Sequence, residues 1–378
     1  MIRLIVIILL FLMSLLILFK APTYHLWLLA IMVSEFPWIF VIITALLLSA
    51  GFWWHKYQLA SNIIGIAALI IFLSPVIRAY AIASTLKQNL KEAFAITDTT
   101  KQDVGRPFSA LQMFVGLGRG KVAYQTLQYS RSNGVKLDLD FYAAQAASKR
   151  PCVIVVHGGS WSSGDSKQLP ELDSYLAKKG YHVASVNYRM APRYNNPAPI
   201  EDVMQAIKYL KTNADKLQID TNNFVLLGRS AGAQIALLTA YKSNIAGLKG
   251  VIDFYGPADM VWGYSKPASK LVMDSRAVMH NYLGGTYNAV PDKYKASSPI
   301  EYVNRHTVPT LIIHGDNDVL VAEEHSRRLA KKLKMNGIKH YYLKLPWATH
   351  GFDFTINGSG GQLSTYTIEN FLTIITGS

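Results

Sequence analysis

The chain has 378 residues, 50% of them hydrophobic and only 16% charged, with a formal net charge of +14. Its lysines and arginines are scattered, with no dense basic block and no finger, knuckle or helix-turn-helix spacing, so the basic balance points to an anionic membrane surface and away from nucleic acid. A single cysteine, Cys152, excludes an internal disulfide and a cysteine-rich metal site; lying in an apolar run, it reads as a buried core thiol.

The first 80 residues stand apart in composition. Residues 4–19 are uninterrupted apolar sequence between Arg3 and Lys20, and Ala21-Pro22-Thr23-Tyr24 makes a poor cleavage site for a signal peptide. A second stretch, 38–54, has Trp38 at one end and Trp53 and Trp54 at the other, as expected where aromatic rings sit at two membrane–water interfaces. A third, 59–77, closes at Arg78. Each is about long enough for a hydrocarbon core, which needs roughly 17–25 residues. The expectation is an integral, multi-pass membrane region over 1–80 with about three transmembrane helices, in contact with the bilayer. Residues 26–33 are too short to span and read as interfacial; Ser34 and Pro37 then start the second helix, with Glu35 at the membrane boundary. Arg3 and the His55-Lys56 loop favour a cytoplasmic start, whereas Arg78, Lys87 and Lys91 pull the other way, leaving a slight preference for a large domain outside the cytoplasm.

Residues 81–121, broken by Gly105-Arg106-Pro107 and Gly116-Leu117-Gly118, read as a linker with one or two short helices and a possible cap segment. From 122 to 378 the texture is that of an α/β domain. Strand-like runs at 122–130 and 135–145 flank Arg131-Ser132-Asn133-Gly134, a hairpin signal. The wholly apolar run 152–159 has the form of a central strand covered on both faces. Strand signals at 182–188, 223–228, 250–256, 310–315 and 340–346 then alternate with helical signals at 198–213, 231–241, 322–336 and 363–375. That alternation implies a mainly parallel central sheet with helices on both faces, opened by an antiparallel hairpin. Residues 257–308 interrupt it and read as an insertion that shapes a pocket.

Four features fall after strands, where open α/β sheets collect their ligands. Gly228-Arg229-Ser230-Ala231-Gly232 reads as strand, sharp turn and helix with Ser230 at the apex, and both glycines have a steric purpose there. His157-Gly158-Gly159-Ser160-Trp161 has adjacent glycines whose N–H groups can approach an anionic oxygen closely. His314-Gly315-Asp316-Asn317-Asp318 offers a carboxylate from either Asp316 or Asp318, with Asp253 a more remote candidate, and Thr349-His350-Gly351 offers an imidazole. His157 and His314 read as residues that order their own turns; His280, His306, His325 and His340 have no suitable company.

In these motifs, together with GYHVASVNYRMAP (180–192), YGPADM (255–260) and SSPIEYV (297–303), the chain from about 122 to 377 resembles the α/β-hydrolases, in particular the esterase branch that includes hormone-sensitive-lipase-like carboxylesterases. The resemblance implies an α/β-hydrolase fold and hydrolysis of carboxylic esters through an acyl-serine intermediate. It implies Ser230 as nucleophile, His350 as base, Asp318 rather than Asp316 as the acid that orients it, and the N–H groups of Gly158, Gly159 and Ala231 as oxyanion donors. No cofactor and no metal is expected, the partner being a small-molecule or lipid-like ester. An amidase, formamidase or peptidase using the same triad is the alternative, and a non-catalytic membrane-tethered binding module the weaker one. Three positions depart from the family pattern: Arg229 where an acidic residue is common, Asn187 in place of an aspartate, and Ala233 in place of a third glycine. Arg229 reads as the partner of a carboxylate within the protein in preference to a contact for an acidic substrate. Acyl-chain length and oligomeric state stay open.

Overall fold

The computed structural model describes residues 1–53, 56–95, 105–117, 120–132, 134–146 and 148–377. Trp54, His55, Gly118 and Asn133, all named above, lie outside the described residues. Eight strands form one sheet: β1 (Tyr124–Ser132), β2 (Val135–Tyr142), β3 (Arg150–Val156), β4 (His182–Val186), β5 (Ile219–Arg229), β6 (Leu248–Phe254), β7 (Thr310–Gly315) and β8 (His340–Leu345). Their order is β1-β2-β4-β3-β5-β6-β7-β8. The β1–β2 and β2–β4 pairs are antiparallel and every other pair is parallel, as the alternation of strand and helix signals requires.

Central strands of such a sheet must be apolar on both faces, and β3 shows it: Val153 and Val155 face one core, Cys152, Ile154 and Val156 the other. The second core is closed by α7 (Ala198–Thr212), α9 (Ala231–Lys242) and α13 (Glu324–Met335), through residues such as Val203, Ile235 and Leu329. The first is closed by α6 (Pro170–Lys178) and α14 (Ser359–Thr376), and it continues into the N-terminal helices. A short helix, α8 (Ala214–Leu217), leads into β5, while α10 (Met260–Ser265), α11 (Ser275–Leu283) and α12 (Pro291–Ala296) occupy the 257–308 insertion.

The N-terminal region differs from the three expected crossings. It comprises α1 (Ile2–Ser14), α2 (Tyr24–Glu35), α3 (Pro37–Ser49) and α4 (Gln58–Phe94), followed by the short α5 (Gln112–Val115). Among the described residues, α4 alone is long and apolar enough to cross a membrane, with 37 residues; α2 and the helical stretch after it reach that length only as a pair bent by 83°. The third apolar stretch does not end its helix at Arg78. Beyond it, Ala79, Leu86, Leu90 and Phe94 recur on one buried face, so the helix continues through what reads as linker and docks on α14, with the Phe94 and Phe371 rings 5.3 Å apart. Along its first half α4 packs Gly65 against Leu48 of α3, where a Cβ would come within 2.7 Å of the leucine, while Ile63, Ile66, Ile70 and Ile77 on the outer side are 52–62% exposed. Arg3 is buried among these helices, its Nε donating to the Leu47 carbonyl at 2.9 Å.

The stretch at 26–33, expected at a membrane interface, packs one face on the protein and leaves Leu26, Leu28 and Met32 exposed on the other. It forms most of α2, which buries Ala30, Ile31 and Val33, and Glu35 at its end is 1% exposed. The Glu35 carboxyl sits at the start of α14, accepting from the N–H groups of Gly360 (2.9 Å) and Gly361 (3.4 Å); burial raises its pKa to about 8, and these two bonds oppose the rise. Because α4 and α14 share this core, Phe371→Ala is expected to lower stability by about 3–5 kcal/mol; a denaturant titration on the full chain measures it.

Candidate active site

Ser230 lies where β5 turns into α9, with φ +53° and ψ −118°, a conformation that a residue with a Cβ rarely holds. Close packing keeps it there. A Cβ on Gly228 would meet the Gly232 carbonyl oxygen at 2.3 Å, and one on Gly232 would meet the Val156 oxygen at 2.2 Å, so both glycines are needed for α9 to approach the end of β3. The Ser230 N–H is tied to the Phe254 carbonyl of β6 at 2.9 Å.

The structure brings the serine, the second aspartate and the histidine together. His350 Nε2 is 2.9 Å from Ser230 Oγ, and His350 Nδ1 is 2.7 Å from Asp318 Oδ2. Asp318 Oδ1 accepts from the N–H groups of Leu320 (2.8 Å) and Val321 (2.9 Å), and Oδ2 also faces His314 Nε2 at 3.1 Å. Burial pushes the Asp318 carboxyl up, but the adjoining His350 and the hydrogen bonds from His314 and His350 outweigh it and hold the group well below the usual carboxylate range. A carboxylate on Nδ1 fixes the tautomer whose lone pair, on Nε2, faces the serine hydroxyl. Asp316 is turned elsewhere and pairs with Lys344 at 2.8 Å. Asp253 accepts the Gly256 N–H at 2.8 Å, and burial raises its pKa to about 7.

The anion-binding turn needs one correction. Gly158, expected as a donor, gives its N–H to Gln168 Oε1 at 2.7 Å. Among the described residues no acceptor is found for the N–H groups of Gly159, Ser160 and Ala231. Ser160, at φ +54°, lines the cavity beside Ser230 and Ala231, so the free donors are shifted one residue along the turn. The sequence signal is the third residue of the Gly-Gly-Ser string, but choosing it requires knowing that Gln168 folds back. His157 orders this turn as expected, its Nδ1 2.7 Å from the Gly158 carbonyl and its ring stacked on Tyr188.

Arg229 is 2% exposed and does not reach the cavity. Its Nε donates to Asp353 Oδ2 at 2.7 Å, and Tyr255 donates to the other oxygen of the same carboxylate. Asp353 stands three residues after His350, and the Tyr255 ring lies 4.3 Å from the His350 ring. The arginine beside the nucleophile therefore ties its strand to the loop that carries the imidazole. Asp173 is buried nearby; burial raises its pKa to about 7, and the Arg229 charge opposes that rise.

A cavity of about 350 Å³ opens at Ser230. Its walls are mainly apolar, including Trp161, Met260, Val272, Met273 and Met279, and the 257–308 insertion supplies about half of them. His325 lines the same cavity, but its Nδ1 accepts the Asp259 N–H and burial, then the neighbouring His314, lower its pKa to about 3, so it is neutral. No described residue of 81–121 lines the cavity; Lys20, Ala21 and Pro22, between α1 and α2, do.

A mainly parallel sheet with a serine on a strained strand-to-helix turn, and with the aspartate and histidine after its last two strands, is an α/β-hydrolase fold. The family BD-FAE matches residues 139–333, just over half of the 378 residues, and the chain belongs to that family. It is 30% identical over 239 residues to Esterase LipC of Mycobacterium tuberculosis, covering 59% of this chain and 58% of that protein. Esterase LipQ of the same organism is 29% identical over 238 residues, covering 61% of this chain and 56% of its own length. The chain thus spans a little over half the length of these relatives. The esterase of Pyrobaculum calidifontis shares the fold, with a TM-score of 0.60 at 20% identity over 78% of this chain and 93% of its own.

Two predictions follow from the buried charges. Arg229→Met leaves Asp353 and Asp173 without their cation and should cost about 3–5 kcal/mol in unfolding measurements, with part of the loss recovered when Asp353→Leu is added. A substrate-binding arginine would instead raise KM at unchanged stability. For Asp253, folding raises the pKa above its ordinary 3.8 to about 7, so its contribution is full below 3.8 and is lost as pH rises through about 7. Asp253→Asn cannot ionise, and its stability relative to wild type is expected to be better at pH 8 than at pH 5 in paired melting curves.

Proposed function

We propose that the protein is a carboxylic-ester hydrolase working through an acyl-serine intermediate. The observation that carries this reading is the hydrogen-bonded series from Ser230 Oγ through His350 to Asp318, at 2.9 and 2.7 Å. A neutral serine hydroxyl is a poor nucleophile, so His350 Nε2 takes its proton as Oγ attacks the ester carbonyl. The oxyanion that forms is bound by the N–H groups of Gly159, Ser160 and Ala231. His350 then gives the proton to the leaving alcohol as the C–O bond breaks, leaving an acyl-enzyme. Water, deprotonated by the same nitrogen, attacks that ester, and the proton returns to Ser230 Oγ as the acid departs. Asp318 stays ionised throughout and stabilises the imidazolium.

The esterase names of the relatives support the reaction class, and the apolar cavity supports an acyl chain as the buried half of the substrate. We further read α4 as the anchor that holds this domain at a bilayer, supported by its length and by its exposed isoleucines. Three separate crossings are not carried forward, because among the described residues α1 is too short to span and the helical stretch from Pro37 reaches the length only as a pair with α2 across an 83° bend.

Ser230→Ala is expected to lower kcat on p-nitrophenyl butyrate by about a thousandfold or more and to abolish labelling by a fluorophosphonate. Hydrolysis of aryl anilides at rates matching the corresponding esters would move the reading to an amidase on the same machinery. Full ester hydrolysis by Ser230→Ala would refute it.

A further inference from the structure

The two loops that carry the acid and the base are each held by the N-terminal helical region. On the base side, Trp27 of α2 donates its indole N–H to the backbone carbonyl of His350 itself at 2.9 Å. Ile31, one turn further along α2, lies over the next residue, its Cδ1 3.5 Å from where a Gly351 Cβ would stand. On the acid side, Asn317, between Asp316 and Asp318, donates its Nδ2 to the Ile17 carbonyl at 2.9 Å and is 8% exposed. The turn joining these two anchor points is Lys20–Pro22, which lines the cavity, and Tyr24 at the start of α2 donates its N–H to the Leu271 carbonyl on the 257–308 insertion at 3.0 Å.

Loops are the least rigid places on which to build a site, and a small misplacement of a base relative to its nucleophile is costly in rate. Here the sheet fixes Ser230 through the Phe254 carbonyl, but His350 and Asp318 lie beyond the strand ends, and besides local bonds such as those of Leu320 and Val321 to Asp318 their loops take supports from far earlier in the chain, with separations of 323 for Trp27–His350 and 300 for Ile17–Asn317. A bond made to the carbonyl of His350 sets the position of the imidazole more directly than packing at a distance does.

We propose that Trp27 and Asn317 are positioning residues for the His350–Asp318 pair, so that the docking of the N-terminal helical region sets the rate of the chemical step. This rests on the ester-hydrolase reading. Neither residue touches substrate in this account, so each acts on kcat and leaves KM in place.

The test uses the full chain with p-nitrophenyl butyrate. Trp27→Phe keeps an aromatic side chain, though a smaller one, and removes the indole N–H; Asn317→Ala removes the other tie and leaves α2 untouched, so either variant tests the proposal if the other fails to fold. Each is expected to lower kcat and the rate of fluorophosphonate labelling of Ser230 by about fivefold, with KM and melting temperature held. Leu28→Ala, on the exposed side of α2, is expected to match wild type. A kcat within twofold of wild type in a folded variant, or a change carried by KM, overturns the proposal. If wild-type protein itself neither hydrolyses the ester nor is labelled at Ser230, the ester-hydrolase reading fails and the proposal falls with it.

Discussion

One close approach governs the rest of the site: the start of α9 pressed against the end of β3. It is possible only because Gly232 has no side chain, a Cβ there falling 2.2 Å from the Val156 oxygen and 2.3 Å from that of His157. The approach forces the positive φ at Ser230 and exposes its hydroxyl. It also sets the free N–H of Ala231 beside the turn that follows β3, so the Ser230 hydroxyl and these N–H groups are brought together by one contact. Strain in such a turn is sustained by the packing around it. The parallel sheet then delivers Asp318 and His350 to the same edge, because β7 and β8 run in register with β6 and end together.

Around this contact the protein keeps several ionisable side chains buried. Asp318 is compensated fully, by two backbone N–H groups and two imidazoles. Arg229 is compensated by Asp353, with Asp173 close enough to lower its charge cost. Buried pairs of this kind contribute little net stability, since desolvation offsets most of their attraction. What they supply is geometry: the Arg229–Asp353 pair joins the strand before the serine to the loop after the histidine, and Tyr255 fills the space between that carboxylate and the imidazole.

Much of this was readable from residues alone. Strand periodicity and the glycine-flanked serine carry their own local physics, and the order Ser230, Asp318, His350 placed three groups at strand ends. The parts that were not readable depend on contacts distant in sequence. Which N–H groups of the Gly-Gly-Ser turn are free is decided by Gln168, ten residues on. Arg229 finds its carboxylate 124 residues away. The third apolar stretch stops at Arg78 by hydropathy, yet the helix runs on to Phe94 because an amphipathic pattern takes over from a uniformly apolar one. The run at 26–33 is short and apolar whatever it meets, and the protein partners of one face, found through Trp27 and Ile31 beyond residue 349, are not written in its own sequence.

The account centres on a covalent step at Ser230, and trapping that intermediate tests it most directly. Full-length protein is quenched in acid during turnover of a slowly deacylated ester, digested and examined by mass spectrometry. The acyl mass should be found on the peptide that contains Ser230, at a level that rises with substrate and is absent from Ser230→Ala. Turnover with no acyl mass on that peptide, or with the acyl group on another residue, would contradict it.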